Sequence, residues 1–440
     1  MHLTQGPQFN GKASKRMHAM AKPIGAACNI DCDYCYYLSK QDLLDYKPGC
    51  SPKMDDVTLE NYIRQYIEGQ NTPEIIFSWQ GGEPTMLGVD YFRRIVELQK
   101  KYCPEGIVIS NDLQTNGTLL NKEWAQFLKE NNFLVGLSID GPELLHNTYR
   151  TNKAGRGTFR QVMRAVELLH EYEVKFATLT CVNNLTSQNP LEVYRFLRDV
   201  VKSPQMQFIP IVEQKSFRTV APQTQDHQVS FKQGDKRLIP GNKDSIMEPW
   251  SVSDEAWGNF LIAVFDEWMA KDLGKVFIQY FEASVETWMG RPNPLCTLSS
   301  VCGKGLAVEP NGDVFACDHY VYPEYKIGNI EQKPLDAMAY GPEQQKFGFA
   351  KTRNLPSQCQ QCEYQFACHG ECPKNRFIAT KEGEEGLNYL CKGWNKFFKH
   401  ADRGIAQILR ATRNPVAHGR FNDQKLQQLM AQSHTFQVQL

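Results

Sequence analysis

The sequence predicts an α/β protein, a partial (β/α)6 barrel of parallel strands followed by a cysteine-rich C-terminal domain. Two patterns carry this expectation. From residue 20 to about 213, short apolar runs alternate with longer amphipathic ones, the signature of repeated βα units. From 296 to 391, eight cysteines crowd into a region without that alternation. Regular βα alternation needs crossover connections, which are right-handed and keep the strands parallel, so the sheet closes wholly or partly into a barrel.

Six strands are expected, at AKPIGAA (21–27), EIIFSWQ (74–80), IVISNDLQT (107–115), FLVGLSID (133–140), KFATLTCVN (175–183) and QMQFIPIVE (205–213). Between them, helical spacing of apolar residues recurs in VTLENYIRQYIEG, VDYFRRIVELQKKY, NKEWAQFLKENN, TFRQVMRAVELLHEYE and NPLEVYRFLRDVV. Several open on Asp, Asn or Thr, whose side chains accept from the free N–H groups of a first turn. GGEP, TNG, SIDG and NN fall directly after successive strands, on the rim where such barrels build their sites; the first cysteines follow the first strand onto the same rim. Residues 214–253 are polar and show little periodicity, which reads as a long insertion or lid, and SDEAWGNFLIAVFDEWMAKD then resumes helical spacing. The expected organisation is an N-terminal tail (1–17), a barrel including the insertion (18–253), a cysteine-rich domain with flanking helices (254–412) and a loosely attached, Gln-rich tail (413–440).

Lys plus Arg and Asp plus Glu number 49 each, so no net field points to nucleic acid, anionic lipid or an acidic substrate. The N-terminal MHLTQGPQFNGKASKR lacks the apolar core of a signal peptide, and no run approaches the roughly 18 apolar residues of a membrane span. A cytoplasmic protein is expected, with no nucleic-acid or membrane partner. In that reducing setting, 14 cysteines in short-spaced groups point to metal rather than disulfides. The ten histidines show no HxxxH or HExxH spacing, which argues against a separate zinc hydrolase site.

CNIDCDYC places Cys28, Cys32 and Cys35 in a CxxxCxxC spacing. A tetrahedral zinc would have to recruit further ligands from elsewhere, whereas three thiolates on a 4Fe-4S cube leave one iron open to a small chelating molecule. Further on, CQQCEYQFACHGEC holds Cys359, Cys362, Cys368 and Cys372, and with Cys296, Cys302, Cys317 and Cys391 the region offers two complete sets of four thiols. Such sets need no exchangeable ligand, and electron transfer is their natural role; zinc is the alternative reading. LAVEPNGDVFACD reads as a hairpin turning at Asn311-Gly312, which fixes where Asp318 points. Cys50 and Cys103 sit in PGCSP and KYCPE turns as free thiols, and Cys181 ends an apolar strand as a buried small hydrophobe.

CxxxCxxC with an aromatic before its last cysteine resembles the radical S-adenosylmethionine superfamily, and WQGGEPT, QTNG, SIDG and the later cysteines agree in order. The resemblance covers roughly residues 18–400. It implies a TIM-like partial barrel in which Cys28, Cys32 and Cys35 bind a 4Fe-4S cluster and S-adenosyl-L-methionine chelates the open iron. By the same resemblance, the Gly81-Gly82 backbone and Glu83 hold the methionine ammonium, Gln80 and Ser138 contact the cofactor, Arg150 reaches its carboxylate and Tyr34 packs near the adenine. The C-terminal region resembles the superfamily's SPASM extension. That implies two auxiliary 4Fe-4S clusters, one on Cys296, Cys302, Cys317 and Cys372, the other on Cys359, Cys362, Cys368 and Cys391.

Two tyrosines after the last motif cysteine, the run CDHY and the cysteine spacings together resemble the anaerobic sulfatase-maturating enzymes. The implied activity is oxidation of the Cys or Ser of a sulfatase Cys/Ser-x-Pro-x-Arg motif to formylglycine. Reductive cleavage of the cofactor would give a 5'-deoxyadenosyl radical that takes hydrogen from Cβ, Asp318 would be the general base, and the second electron would leave through the nearer auxiliary cluster. Tyr37 would contact the substrate peptide. The implied partners are an unfolded or nascent sulfatase polypeptide and a flavodoxin- or ferredoxin-type electron donor. Two rivals stand beside this reading. One is a SPASM-type maturase that crosslinks or epimerises another peptide, for whose recognition domain the 16-residue lead leaves no room. The other is a catalytically silent electron-transfer protein, against which intact CxxxCxxC, GGEP and Asp318 argue.

Overall fold

The computed structural model describes residues 8–44, 52–222, 231–303 and 305–412. The tail expected at 413–440 and the thiol of Cys50 lie outside the described residues. Six barrel strands form, five of them within the expected segments and the first earlier in the chain: β1 (His18–Ala21), β2 (Glu74–Trp79), β3 (Val108–Thr115), β4 (Leu134–Ser138), β5 (Lys175–Val182) and β6 (Gln205–Pro210). They lie side by side in chain order, each pair parallel, as a partial barrel.

The first strand is displaced from its expected place. It ends at Ala21, and residues 23–26 form turns. Pro23 has no N–H to give a ladder and Gly25 adopts a φ of 55°, so AKPIGAA cannot run extended throughout. The last strand stops at Pro210 rather than at 213, because a proline cannot carry the ladder onward.

Four more strands extend this sheet to ten: β7 (Phe277–Ile278) beside β6, and β8 (Gly305–Val308), β9 (Asp313–Phe315) and β10 (Lys326–Asn329) beyond β1. The expected hairpin is present, with Ala307 opposite Phe315 and Gly312 at φ 80° in its turn. Its first strand pairs in parallel with β1, Val308 against Ala21, so the start of the cysteine-rich region is an edge of the barrel sheet.

The helices follow the expected spacing. α1 (Asp56–Glu68) is capped by Asp55, whose carboxylate accepts from the Thr58 N–H at 2.8 Å, and α3 (Lys122–Glu130) by Asn121. α2 (Val89–Tyr102) and α4 (Phe159–Glu171) bury one apolar face each against the sheet, and α5 (Pro190–Arg195) runs on into a π turn over Phe196–Val200. Each fully buried Leu, Ile or Phe on these faces is worth about 1.5–3 kcal/mol.

α6 (Asp254–Lys271), α7 (Gln279–Trp288) and α8 (Cys391–Ala411) form the second helical layer. α6 and α8 cross backbone to backbone: a Cβ on Gly393 would stand 2.1 Å from the Asp254 carbonyl oxygen, and one on Gly258 would stand 2.8 Å from Gly393 Cα. The insertion read as a lid is anchored where it is described. Phe217, Leu238, Met247 and Val252 are buried, and Phe231–Lys232 pairs with Ile378–Ala379 of the cysteine-rich region.

One buried carboxyl sets a pH dependence. Asp112 on β3 faces Tyr62 and Tyr66 of α1, accepts from the Ser78 hydroxyl at 2.5 Å and is pushed by burial to about 7. The folded value lies above the unfolded carboxyl's, so its contribution to stability is fully present below about pH 4 and is lost as pH rises through about 7. Asp112→Asn removes that titration. In urea unfolding it should exceed the parent by ~1 kcal/mol or more at pH 8, and the difference should narrow at about pH 5 and close below about pH 4.

Candidate active site and cluster sites

Cys28, Cys32 and Cys35 lie in the loop after β1, and the GGEP loop after β2 is bonded along it. Gln80 N–H donates to the Ala21 carbonyl (3.0 Å), Gly82 N–H to Gly25 (2.7 Å) and Glu83 N–H to Ala27 (2.9 Å). This close approach explains both glycines. A Cβ on Gly82 would sit 1.9 Å from the Ala27 oxygen, and Gly81 holds a φ of 123° with the Gly25 oxygen 2.7 Å from where its Cβ would be. Farther along the loop, Ile30–Cys32 pairs antiparallel with Arg150–Asn152, which sets Cys32 opposite Arg150.

All three thiols are free. Burial raises each pKa, that of Cys28 to about 11, and for Cys32 the nearby Cys35 and Cys28 add to the rise while Arg150 opposes it. Two N–H donors reach the sulfurs: Asn116 Nδ2 stands 3.8 Å from Cys28 and Arg150 Nη1 3.9 Å from Cys32. Neutral thiols are poor acceptors, so buried donors aimed at them suit thiolates on a cationic centre.

The expected cofactor contacts sit around this loop, tied into internal networks. Glu83 is fully buried; its carboxylate accepts from Thr85 N–H and hydroxyl, the Thr115 hydroxyl (2.8 Å) and Asn116 N–H (2.7 Å), clamping GGEP to QTNG. Arg150 pairs with fully buried Asp140 at 2.9 Å, and Tyr34, whose hydroxyl donates to the same carboxylate, lies with its ring 5.4 Å beneath the guanidinium. Cys181 donates its N–H to Asp140 and takes Arg150 Nη2 at 3.7 Å on its sulfur, so it is a half-buried partner of the arginine rather than the buried hydrophobe expected. Ser138 ends β4, nearly buried, and Gln80 follows β2, half-buried. Cys103 is a free thiol in its turn, 3.3 Å from the Ile107 carbonyl oxygen.

Asp318 follows Cys317 directly after β9 and is held from two sides by the first cysteine loop's neighbourhood. Lys22, itself buried, forms an ion pair with Oδ1, and the Tyr36 hydroxyl donates to Oδ2 at 2.6 Å. Burial acts to raise this carboxyl, but Lys22, His319 and the Tyr36 bond prevail and hold it below the usual range. Tyr37, expected against the peptide, is buried with its hydroxyl on Glu309 and Lys22 Nζ 4.6 Å from its ring; its neighbour Tyr36 reaches Asp318.

The eight later thiols fall into two electrostatic groups. Cys317 is raised by burial and then by Cys372, Cys296 and Cys302; Cys391, at about 12, by burial and then by Cys359 and Cys362; Cys368 by burial and then by Cys391 and, less, Cys359. Cys368 and Cys372 therefore face different groups, only four residues apart. Between them His369, Gly370 and Glu371 are all left-handed, at φ 47°, 73° and 53°, and Arg376 donates to the carbonyls of all three. That turn reverses the chain's outlook. Among the described residues no three His, Cys, Asp or Glu groups close on a point where one ion would sit.

Residues 23–197 match the family model of the Radical SAM superfamily, and residues 296–363 that of SPASM, an iron-sulfur cluster-binding domain. Fold and thiol groups thus define a radical S-adenosylmethionine protein with a C-terminal cluster-binding domain. A serine-type anaerobic sulfatase-maturating enzyme of Bacteroides thetaiotaomicron is 44% identical over 387 residues, 88% of this chain and 90% of that one. A cysteine-type enzyme of Clostridium perfringens is 30% identical over 384 residues, 87% of this chain and 95% of that one. The solved structure of native anSMEcpe with bound AdoMet matches with a TM-score of 0.75 at 30% identity, over 89% of this chain and 98% of that one. The chain belongs to the family of anaerobic sulfatase-maturating enzymes.

Sequence reasoning missed Lys22, Tyr36, Asn116 and Asp140. Asn116 and Asp140 stand inside QTNG and SIDG, and Lys22 is the lone charge in an apolar run, which was the available signal. The loop packing makes its own prediction. Gly82→Ala should lower urea-unfolding stability by about 2 kcal/mol through overpacking and speed alkylation of Cys28, with helical circular dichroism retained.

Proposed function

We propose that this chain oxidises the Ser or Cys of a Cys/Ser-x-Pro-x-Arg motif in a sulfatase polypeptide to formylglycine, in the reducing cytoplasm, with electrons from a flavodoxin- or ferredoxin-type donor. Among the described residues no helix is long and apolar enough to cross a membrane. The observation that carries the reading is Asp318, one residue from Cys317 of the second thiol group and bonded to Lys22 and Tyr36 on either side of the first.

Cys28, Cys32 and Cys35 would hold the first 4Fe-4S cluster with the cofactor on its open iron, and the two later sets of four would hold auxiliary clusters. The residues suit these groups: the first three sulfurs lie close enough to raise one another, N–H donors meet those of Cys28 and Cys32, and the GGEP backbone is fixed against the loop. When bound, S-adenosylmethionine and the clusters supply removal of one hydrogen atom from Cβ and an outlet for one electron. Oxidising an alcohol carbon to an aldehyde also requires loss of the hydroxyl proton, and Asp318 takes it. Lys22 and Tyr36 keep the carboxylate ionised and aimed, so that it is ready as base before the substrate arrives. With a Cys substrate the thioaldehyde then exchanges its sulfur for water's oxygen.

The Ser form is the first to test, since the 44% identical relative is serine-type while cysteine-type relatives lie at 29–31%. Reconstituted protein incubated anaerobically with reductant, S-adenosylmethionine and a Ser-x-Pro-x-Arg peptide should yield a product lighter by two hydrogens. Deoxyadenosine release with no aldehyde on either the Ser or the Cys peptide would sink the assignment and favour another peptide substrate; no deoxyadenosine at all would favour an electron carrier. Asp318→Asn should cut product on the order of a hundredfold with cluster content unchanged. Parental turnover in that variant removes Asp318 from the mechanism.

A further inference from the structure

Two exposed side-chain amides stand on the thiol group of Cys359, Cys362, Cys368 and Cys391. Gln358 Nε2 lies 3.8 Å from Cys391 Sγ and Asn395 Nδ2 lies 3.8 Å from Cys362 Sγ, each placed to donate. Gln358 lies in the helical turn Ser357–Gln360, and Asn395 in the first turns of α8, so both amides are carried on backbone already fixed by the ligand residues themselves. Water competes for an exposed amide, and a neutral thiol is too weak an acceptor to win it. A thiolate carrying the charge of an iron-sulfur cluster is a far better one.

We propose that Gln358 and Asn395 tune the cluster on Cys359, Cys362, Cys368 and Cys391 by donating N–H···S bonds that raise its reduction potential. The inference rests on the reading of those four thiols as cluster ligands. Reduction adds negative charge that the sulfurs share, so a donor aimed at sulfur stabilises the reduced state more than the oxidised one. The acidic neighbours act the other way: Glu384 lies near Cys359, Asp254 near Cys391 and Glu371 near Cys368, while Arg376 opposes them at Cys359. Against that surrounding charge, the two neutral donors keep this cluster reducible. The amides act through the cluster and are positioning residues, not catalytic ones.

The test is an EPR-monitored redox titration of the full, anaerobically reconstituted chain, with iron and sulfide counted first. In the double variant Gln358→Leu with Asn395→Leu, one midpoint should move to more negative potential. At a fixed potential its reduced-to-oxidised ratio should fall roughly threefold to tenfold, tenfold being 59 mV for a one-electron couple. The other two clusters should not move. Gln358→Glu, which keeps the size and removes the donor, should shift the same midpoint in the same direction. Three clusters with every midpoint unchanged in both variants overturn the proposal. Iron and sulfide for fewer than three clusters in the parent overturn the ligand reading beneath it. If the Leu variants lose that cluster, pulsed EPR on parent protein labelled with 15N in Gln and Asn side chains decides. A 15N coupling on that cluster supports the bonds, and its absence removes them.

Discussion

The parallel ladder between His18–Ala21 and Gly305–Val308 joins segments far apart in the chain, and the site exists because of it. β1 delivers the first cysteine loop, and β8 with its hairpin partner β9 delivers Cys317 and Asp318. Lys22 continues the ladder by one bond, its N–H on the Val308 carbonyl at 2.8 Å, and then turns its side chain to Asp318. A register slip of one residue would turn Ala19 and Ala21 out of the core and carry the Cys317–Asp318 end away from Lys22. Flexible linkage between two separate domains could not hold a carboxylate to that tolerance.

The cost of the site is visible in its charges. Lys22–Asp318, Arg150–Asp140 and Lys374–Glu213 are ion pairs with most of their side chains out of water, and such pairs are weak contributors to stability because desolvation offsets their attraction. A barrel built only for stability would place apolar residues there. The pairs also tie separate elements together: Lys374 of the cysteine-rich region reaches Glu213 just past β6, and Arg150 ties the antiparallel strand at Cys32 to the end of β4. Lys40 shows how dry the mouth is. Its ammonium lies 3.3 Å from the Tyr322 ring centroid, and burial pulls its pKa down to about 7 although Glu213 and Asp318 oppose the shift.

Much of this was legible because periodicity and motif are local. Five strands and all the barrel helices appear within a few residues of where apolar spacing puts them, and GGEP and SIDG follow the strands they are expected to follow. The placement of β1 fails because a run of small apolar residues looks extended in any frame, and only Pro23 and the positive φ of Gly25 break it. The addition of β8–β10 leaves no local trace, since a parallel ladder between distant segments is written in neither segment alone. The same holds for Asp140: Ser138 and Arg150 stand out on either side of it, while the residue that fixes the arginine looks like part of a turn. The partition of the later thiols also depends on shape rather than spacing. CHGEC puts Cys368 and Cys372 close in sequence, and three consecutive left-handed residues send them apart.

Consecutive placement of Cys317 and Asp318 has a chemical consequence on the proposed reading. Oxidation at Cβ must release a proton and an electron after the hydrogen atom has gone, and each departure alone leaves a charge that hinders the other. Asp318 would accept the proton just past β9, and the thiol one residue earlier belongs to the set through which the electron would leave. Lys22 supplies a fixed positive charge beside both, so negative charge developing on the substrate oxygen or sulfur is stabilised before the proton has fully moved. His319, one residue on, has its Nδ1 3.5 Å from Cys372 Sγ of the same set, so a single turn carries the proposed base, a thiol of the set and a partner of another of its thiols. Three consecutive positions, Cys317 to His319, would thereby couple the two departures through backbone geometry, and on the proposed reading that coupling would account for a carboxylate being placed next to a cluster ligand despite the repulsion between them.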